Sequence, residues 1–425
     1  MLTKLGIRIL GLCVGLTLVG VSLAAEPVTI VYWQYEYATK VKAIDELIKR
    51  FEAENPDIKV IHETFPYAAF AEKVAAAVPA GVGPHVVNLY YGWLPAWQRA
   101  GYLQPLPEEW FSTDEIESEF APLVQAAKMD GRYWGLPTGV RTLALFYNID
   151  LFEQYGIVNP PETWDEFIDI AKKLTVWQDG VLVRAGFGMA PDGQDHHLVR
   201  EVLIRQFGGT PYSEDYRQVL YNSPEGVRAL KFYTDLALVH KIGEPDFPFP
   251  GVSGYYREGF NAGLIAMIVD GSFAIGTIKS GAKFRWGVAE LPRLTPDGER
   301  HNFASFWMHA LTPRAQGAEL EAAVKFLKFI TSAEAMELWL QMVGELPARL
   351  SLLNRPELLN DPIYGPFLRA LPYSHATFFV DEARQRQIMI DAILRVIRAG
   401  GSPEEALAIA AAEEQAVLDA FWGKR

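Results

Sequence analysis

Strands and helices alternate from residue 28 to residue 89, and this alternation constrains the fold more than any other feature of the chain. A β-branched and aromatic run at residues 28–33 predicts a strand, and apolar residues at helical spacing predict a helix over residues 42–54. Two more strands, at residues 58–61 and 85–89, flank a second helix at residues 69–78. The order predicts an α/β fold with a largely parallel sheet, in which ligands bind beyond the carboxyl ends of the strands.

The rest of the chain continues this mixture. Thr163 with Glu166 three positions later is a capping box, which predicts a helix ending near Leu174. Further helices are predicted at residues 197–207, 223–239, 320–330, 333–343, 382–399 and 403–421, and strands at residues 142–147, 186–190 and 266–269. Residues 245–254 contain three prolines and predict a loop. A chain of 425 residues exceeds what one hydrophobic core usually supports, so two lobes are expected.

The first 25 residues have the order of a secretory signal peptide. Lys4 and Arg8 precede an uncharged run at residues 9–23, and small residues follow that run. The run has 15 residues, which is shorter than the roughly 20 residues that span a bilayer as a helix. Cleavage after Ala24 or Ala25 is therefore expected to release a mature chain.

Cys13 is the only cysteine in the sequence, and it lies inside this expected signal peptide. The mature chain is therefore expected to have no disulfide and no cysteine ligand for zinc. A lipid anchor at Cys13 is the alternative reading of the segment. It is not expected, because the bulky Leu12 stands where a lipid-attachment motif has a small residue.

Composition and motifs argue against several partners and cofactors. A formal net charge of -13, without clustered Lys and Arg, argues against a nucleic-acid partner. The sequence has no P-loop, no GxSxG elbow and no HExxH motif. His196 and His197 are adjacent and would point about 100° apart on a helix, so we interpret them as surface or helix-start residues rather than metal ligands. No cofactor and no metal are expected.

Aromatic residues gather where predicted strands end. The segments 34–37 and 90–93 follow the first and third strands, which places both at the same edge of the sheet. A Tyr or Trp ring offers about 150–250 Å² of contact surface, and it suits the apolar face of a pyranose. The hydroxyl rim of such a sugar needs amide, carboxylate or guanidinium groups nearby. For any single ring, packing in the core is the alternative, and the sequence leaves it open.

Six short motifs resemble, in their order, the extracellular solute-binding proteins of ABC transporters. The resemblance is to the carbohydrate-binding family that includes maltose-binding and glycerol-phosphate-binding proteins. The motifs are FEAENPDIKV at residues 51–60, GYLQPL at 101–106, DGRYWGLP at 130–137, FYNIDLF with PPETWDEF within 146–167, AMIVDGSF at 266–273 and GELPAR at 344–349.

The resemblance implies a type II periplasmic-binding-protein fold. Its two α/β lobes are joined by a hinge that the chain crosses three times, and they close on a ligand in the cleft between them. The crossings fall near residues 137–140, 303–308 and 343–350. Lobe 1 then comprises residues 26–138 plus 309–343, and lobe 2 comprises residues 139–308 plus 344–425.

The resemblance also implies where ligand contacts fall. The stacking rings of the family fall on Phe273 and on residues 90–93, and a polar cleft residue falls on Arg141, where maltose-binding protein has a carboxylate. Arg141 and Arg349 either donate to hydroxyls or together bind a phosphate or a carboxylate, and a hinge salt bridge is the alternative for Arg349. The predicted ligand-binding residues are Gln34, Tyr35, Tyr90, Tyr91, Trp93, Arg141, Asp270, Phe273, Trp307 and Arg349.

The predicted function is substrate binding for an ABC importer. The chain would capture a mono- or oligosaccharide and deliver it to the membrane permease, without catalysis. The alternatives are an anionic ligand such as glycerol 3-phosphate or its diester, and a secreted glycoside hydrolase that uses two carboxylates. A monomer is the family expectation. A periplasmic location is expected, because an outer membrane retains an unanchored receptor.

Overall fold

The computed structural model describes residues 26–245 and 256–423. The expected signal peptide with Cys13, and most of the predicted proline-rich loop, lie outside the described residues. In the described ranges, no helix has both the length and the apolar character that a membrane crossing needs. The strands are β1 (Val28–Tyr35), β2 (Ile58–Phe65), β3 (Val86–Tyr90), β4 (Lys128–Met129), β5 (Arg132–Tyr133), β6 (Leu136–Asn148), β7 (Val176–Gln178), β8 (Val181–Phe187), β9 (Ile265–Gly271), β10 (Trp286–Ala289), β11 (Asn302–Leu311), β12 (Leu346–Pro347) and β13 (Ser374–His375).

The helices begin where the sequence supplies caps. The Thr163 hydroxyl accepts from the Glu166 backbone N–H, and the Ser223 hydroxyl accepts from that of Gly226. The helices are α1 (Ala38–Glu54), α2 (Tyr67–Ala77), α3 (Leu94–Arg99), α4 (Thr113–Glu119), α5 (Ile149–Gln154), α6 (Trp164–Leu174), α7 (Ile204–Gln206), α8 (Pro224–Leu238), α9 (Tyr256–Asn261), α10 (Ile275–Gly281), α11 (Gly317–Ile330), α12 (Ala333–Val343), α13 (Leu350–Leu353), α14 (Pro356–Leu359), α15 (Gly365–Ala370), α16 (Glu382–Ile397) and α17 (Pro403–Trp422).

Two predicted elements in the middle of the chain differ from the structure. The strand expected at residues 186–190 is β8, which begins five positions earlier and ends at Phe187. The helix expected at residues 197–207 is a π-helical turn over Leu198–Leu203 that continues into α7. A second π-type turn, Pro191–Asp195, precedes it and has a kink at Gly193. This irregular stretch brings several polar side chains close together.

The main sheet is mixed, which corrects the prediction of a largely parallel sheet. β1 pairs in parallel with β2 and β3, as expected. The two long strands β6 and β11 run antiparallel to each other, β11 runs antiparallel to β3, and β6 runs antiparallel to β9. The strand order is β2-β1-β3-β11-β6-β9-β8-β7, with β10 and β12 on β6 and β13 on β11. The alternation at the start of the chain revealed only the parallel neighbours, because β11 joins β3 from a distant part of the sequence.

Two hydrophobic cores are buried against this sheet. One contains residues of β1, α1 and α11, such as Tyr32, Phe51 and Phe326. The other contains residues of α6, α8, α16 and α17, such as Trp164 and Tyr233. Two cores agree with the expectation of two lobes. The lobe bounds remain a prediction, because the first core also takes in residues of β6 and β9 that those bounds assign to lobe 2.

The three segments predicted to cross between the lobes lie side by side. Val140 in β6 pairs with Phe306 in β11 on one side and with Leu346 in β12 on the other. The neighbouring Gly139 leaves room for the third segment, because a Cβ there would lie 3.0 Å from Cβ of Glu345. The crossings therefore form one hydrogen-bonded unit, and the ends of β1 and β3 lie beside it.

Candidate functional site

A cavity of about 330 Å³ opens where β1 and β3 end, and we call it the cleft cavity. Its wall comes from strand ends, two loops and the first turns of α16. The residues that line it are Tyr35, Glu36, Tyr37, Tyr67, Tyr90, Arg141, Gly193, Gln194, His196, His197, Phe273, Phe303, Ser305, Trp307, Glu382 and Arg386. The edge of the sheet that the sequence predicted for ligand binding is therefore the edge that carries this cavity.

Rings form one wall of the cleft cavity. The Tyr35 and Trp307 ring centroids lie 4.1 Å apart, and Tyr90 approaches Trp307 at 5.8 Å. Tyr67 meets the edge of the Tyr35 ring at 5.6 Å. Packed rings of this kind offer an apolar surface, which suits the C–H face of a sugar.

The Phe273 ring also lines the cleft cavity, and two arginine side chains contact this ring. The guanidinium carbons of Arg141 and Arg257 lie 5.0 and 5.6 Å from its ring centroid, within the range of a cation–π contact. The ring packs back over the chain at Gly271, where a Cβ would lie only 2.3 Å from a ring carbon. Glycine is therefore required at 271 to give Phe273 its position.

A buried group of charges lies beneath the rings. The Lys40 ammonium nitrogen lies 2.8 Å from Oε1 of Glu345, and Nε of Arg141 lies 3.7 Å from the same oxygen. The Trp339 indole donates to Oε2 of Glu345 at 2.9 Å. Burial alone raises the pKa of Glu345, but Lys40 and Arg141 outweigh it and hold that pKa below its usual value. Glu345 is therefore an ionised carboxylate shared by two cations.

A second ion pair lies on the wall of the cleft cavity itself. Nε of Arg386 lies 3.6 Å from Oε1 of Glu382, one turn earlier on α16. Burial raises the pKa of Glu382, and Arg386 and the indole of Trp93 oppose this shift. Glu36 adds one further carboxylate to the lining. Each arginine of the cavity thus has a carboxylate beside it.

His196 and His197 are buried in the wall of the cleft cavity, which corrects their interpretation as surface residues. Their side chains come from the irregular turn before α7, and the His197 ring stacks on Phe303 at 3.6 Å. Burial lowers the pKa of both imidazoles well below the usual value, so both are neutral near pH 7. Both ring nitrogens of His196, Nδ1 of His197 and Nε of Arg141 lack a hydrogen-bond partner within the described residues.

Five of the ten predicted site residues line the cleft cavity. They are Tyr35, Tyr90, Arg141, Phe273 and Trp307. Ligand contact by these five stays a prediction, and their shared position supports it. The other five lie elsewhere, and each has a physical reason for its position.

Gln34, Tyr91 and Trp93 pack away from the cleft cavity. Gln34 is buried, and its amide oxygen accepts from the Tyr32 hydroxyl at 3.4 Å. Tyr91 stacks on Phe306 at 5.0 Å and donates to the Thr377 carbonyl. Trp93 packs among rings, including the edge of Trp307 at 5.2 Å. β3 ends at Tyr90 and Tyr91 begins a 3₁₀ turn, so the chain changes direction between the two rings and only Tyr90 lines the cleft cavity.

Asp270 and Arg349 are each engaged in an ion pair. Asp270 is fully buried and accepts from Nε of Arg257 at 2.7 Å. Arg349 pairs with Glu119 and donates from Nε to the Thr331 carbonyl at 2.8 Å. The alternative of a salt bridge therefore describes Arg349, and the structure does not bring Arg141 and Arg349 together as one phosphate-binding pair.

A second cavity of about 570 Å³ lies beyond Tyr91, and we call it the second cavity. Tyr216, Phe378 and Trp422 on its wall stack in a row, with centroid distances of 4.6 and 6.0 Å. Its lining cations Arg205 and Lys128 pair with Glu201 at 3.0 Å and with Glu117 at 2.7 Å. Among the described residues, no buried polar atom that lacks a partner belongs to a side chain lining this cavity.

Across the described part of the chain, no three His, Cys, Asp or Glu side chains gather closely enough to hold a metal ion. The donors of the cleft cavity are instead spread around its wall. Guanidinium, imidazole, carboxylate and hydroxyl groups face one small space from several sides. That arrangement suits hydrogen bonding to a polar organic ligand.

Comparison with known proteins identifies the family. Residues 37–337 match the bacterial extracellular solute-binding protein family. The chain belongs to this family. The matched segment contains β2 to β11 with most of the cavity wall. Of the remaining wall residues, Tyr35 and Glu36 precede it, and Glu382 and Arg386 follow it on α16.

Two curated relatives of this solute-binding protein have different ligands in their names. A maltotriose-binding protein from Pyrococcus abyssi (strain GE5 / Orsay) is 26% identical over 349 residues, which cover 81% of this chain and 72% of that protein. The sn-glycerol-3-phosphate-binding periplasmic protein UgpB from Escherichia coli (strain K12) is 27% identical over 362 residues, which cover 79% of this chain and 77% of that protein.

A solved structure shows the same fold. The GacH receptor of Streptomyces glaucescens, solved unliganded and with acarbose, matches with a TM-score of 0.78 at 23% identity. The match covers 92% of this chain and 99% of that chain. The fold is therefore the two-lobed, type II periplasmic-binding-protein fold that the resemblance implied.

Several residues on or beneath the cavity were not predicted from the sequence. Tyr37 lies in the predicted segment 34–37 but was not among the predicted contacts, and Tyr67 follows the end of β2, where the rule that found Tyr35 would also have found it. Gln194 has no comparable signal, because its position depends on the irregular turn before α7. The pair of Lys40 and Glu345 joins residues 305 positions apart, which no local pattern reveals.

Proposed function

We propose that this solute-binding protein is the substrate-binding component of an ABC importer, and that it captures a neutral mono- or oligosaccharide in the cleft cavity. It then delivers the sugar to the membrane permease. One observation carries the proposal. The same small cavity combines a wall of rings with polar side chains, His196 and Arg141 among them, that keep buried nitrogens without a partner among the described residues. A sugar uses both, because it has an apolar face and a rim of hydroxyls.

The charges of the cavity support a neutral ligand. The cations Arg141 and Arg386 line it and Lys40 lies beneath, while the carboxylates Glu36 and Glu382 line it and Glu345 lies beneath. Three cations thus face three carboxylates. The histidines add no charge near pH 7, since burial lowers their pKa values. A ligand without charge needs no further compensation here.

The wall comes from both predicted lobes, which fits a mechanism of closure. Tyr35, Tyr67 and Tyr90 belong to predicted lobe 1, and Arg141 and Phe273 belong to predicted lobe 2. A sugar that contacts both sets stabilises the closed form, and a permease then distinguishes the closed form from the open one. On this proposal the chain acts as an exported, periplasmic monomer after signal-peptide cleavage, without cofactor, lipid anchor, nucleic-acid partner or catalysis.

An anionic ligand is the second candidate. The relative named for sn-glycerol 3-phosphate supports it, and Arg141 would be its main contact. Arg349 is not available as a partner, because it is engaged with Glu119. The balanced charges of the cavity favour the neutral sugar over this candidate.

A thermal-shift screen tests the proposal. The mature chain is mixed with neutral mono- and oligosaccharides including maltotriose, with sn-glycerol 3-phosphate and with sugar acids. A ligand at 100 times its dissociation constant adds about 2.7 kcal/mol of stability, which such a screen resolves easily. Stabilisation by neutral sugars alone is expected. Stabilisation by anions alone would contradict the proposal in favour of the second candidate.

The absence of catalysis has its own test. Glu36 and Glu382 are the carboxylates on the cavity wall, and a glycoside hydrolase would need two such groups across the sugar. The sugar found in the screen is incubated with the protein and analysed by chromatography. Intact sugar is expected, and shorter products would contradict the proposal.

A further inference from the structure

We propose that Glu345, which does not line the cleft cavity, determines the preference of this site for neutral over anionic ligands. It acts through the net charge of the group that it forms with Lys40 and Arg141. The inference rests on the proposed function and deepens it. It identifies the group that controls which class of ligand the site accepts.

The geometry makes Glu345 the shared partner of two cations. Lys40 in the first turn of α1 is 3% exposed and Glu345 is 2% exposed, with 2.8 Å between the ammonium nitrogen and Oε1. Arg141 approaches the same oxygen at 3.7 Å, and its side chain reaches the cavity. Nε of Arg141 has no hydrogen-bond partner among the described residues. Glu345 is thus the carboxylate beside the cavity's Arg141.

The surroundings fix this carboxylate in place. The Trp339 indole donates to Oε2 of Glu345 at 2.9 Å, so both oxygens are engaged. The Lys40 ammonium lies 5.7 Å from the Trp307 ring centroid and 5.5 Å from that of Tyr35. These rings also form the cavity wall. The ion pair therefore lies directly behind the surface on which a sugar would rest.

Removing one charge from this group changes the potential at the cavity. With Glu345 ionised, the group of Lys40, Arg141 and Glu345 carries one net positive charge. Without that carboxylate it carries two, and without Lys40 it carries none. A unit charge several ångströms from a partly buried anion changes its binding by roughly tenfold. A neutral sugar feels this change much less.

A charge series tests the inference. The variants are Glu345→Gln, Lys40→Met and the double variant Lys40→Met with Glu345→Met, beside the wild type. The double variant keeps the net charge of the wild type although Glu345 is lost. It is expected to fold, because apolar residues of similar volume often replace a buried ion pair without loss of stability. Circular-dichroism melts check that each variant is folded.

Isothermal titration then measures the affinity of each variant for sn-glycerol 3-phosphate and for maltotriose. Glu345→Gln is expected to bind sn-glycerol 3-phosphate most tightly and Lys40→Met most weakly. The wild type and the double variant are expected to lie together between them, with roughly tenfold steps in affinity. Maltotriose affinity, where it is measurable, is expected to stay within about fivefold across the series. A merely structural role would lower both affinities in parallel.

The outcomes separate the inference from the proposed function. Equal phosphate affinity across the folded variants, while the wild type binds a neutral sugar, overturns the inference alone. If Glu345→Gln does not fold, the other three proteins still test the inference. Lys40→Met must then bind phosphate more weakly than the wild type and the double variant do. A wild type that binds no neutral sugar of the screen overturns the proposed function, and the inference with it.

Discussion

The cleft cavity and the second cavity are both lined by rings, yet they differ in what their polar groups do. In the second cavity, which is the larger, Arg205 is paired with Glu201 and the rings stack on one another. In the cleft cavity, His196 and Arg141 keep polar atoms without a partner among the described residues. We therefore base the proposed ligand site on unused hydrogen-bonding capacity, because both cavities are lined by rings and the second cavity is the larger.

A thin wall separates the two cavities. Tyr90 lines one and Tyr91 lines the other, and Gly92 lets the Phe379 ring pack against them. A Cβ at Gly92 would lie 2.8 Å from carbons of both the Phe379 and Tyr90 rings. The side chains of two consecutive residues thus line different cavities. The difference between the two cavities can therefore be tested by substituting single residues in each.

The largest expected effect concerns this wall. Phe379 is 1% exposed, so Phe379→Ala should leave a cavity and lower the free energy of unfolding by about 3–5 kcal/mol. Denaturant unfolding measures the change. The matched control is Phe378→Ala, whose ring is only partly buried on the second cavity and whose loss should cost less. Equal losses would mean that the wall has no special structural role.

Removal of the cleft arginine should have the next largest effect. Arg141→Ala deletes the guanidinium on the cavity wall and should weaken sugar binding by about 2 kcal/mol, or about thirtyfold. The matched control is Arg205→Ala in the second cavity, for which no change in affinity is expected. Isothermal titration of both variants is the measurement, and the reverse result would exchange the roles of the two cavities.

Ring truncation sharpens the comparison further. Phe273→Ala in the cleft cavity should weaken sugar binding by about 1.5 kcal/mol, because a ring face that covers the sugar is lost. Tyr216→Ala in the second cavity should leave affinity unchanged. If the Tyr216 variant binds more weakly and the Phe273 variant does not, the aromatic wall of the cleft is not the stacking surface.

The smallest expected effect is that of pH on binding. Burial holds the pKa values of His196 and His197 well below normal, so both stay neutral above pH 6.5 and sugar affinity should vary less than about twofold between pH 6.5 and 8. Below pH 6.5 the unfolded chain takes up protons that the folded chain resists. Stability should therefore fall as the solution is acidified. Titrations with the sugar between pH 6.5 and 8 check the affinity, and melts below pH 6.5 check the stability. Affinity that rises or falls steadily above pH 6.5 would contradict the first prediction.

The sequence predicted the regular part of the fold well, because the signals there are local. The helix predicted at residues 333–343 has those bounds in α12, and the capping box at Thr163 begins α6. The antiparallel position of β11 was missed, since pairing between distant segments leaves no local pattern. The π-helical turns before α7 were missed for a related reason, because packing rather than residue preference sets them.

The site was predicted only in part, for the same physical reason. The predicted ends of strands placed Tyr35 and Tyr90 at the cleft cavity. They did not show that Tyr90 lines this cavity and Tyr91 lines the second one. Asp270 and Arg349 have suitable chemistry, but their partners Arg257 and Glu119 engage them. Which polar groups remain free depends on contacts across the whole chain, and only the folded structure supplies these.

A crystal structure of the mature chain with the sugar that stabilises it most tests the central claim directly. The account predicts that the sugar lies in the cleft cavity, with a ring face against Tyr35, Trp307 or Phe273 and hydroxyls within hydrogen-bond distance of Arg141 and His196. A sugar bound in the second cavity, with the cleft cavity empty, would contradict it.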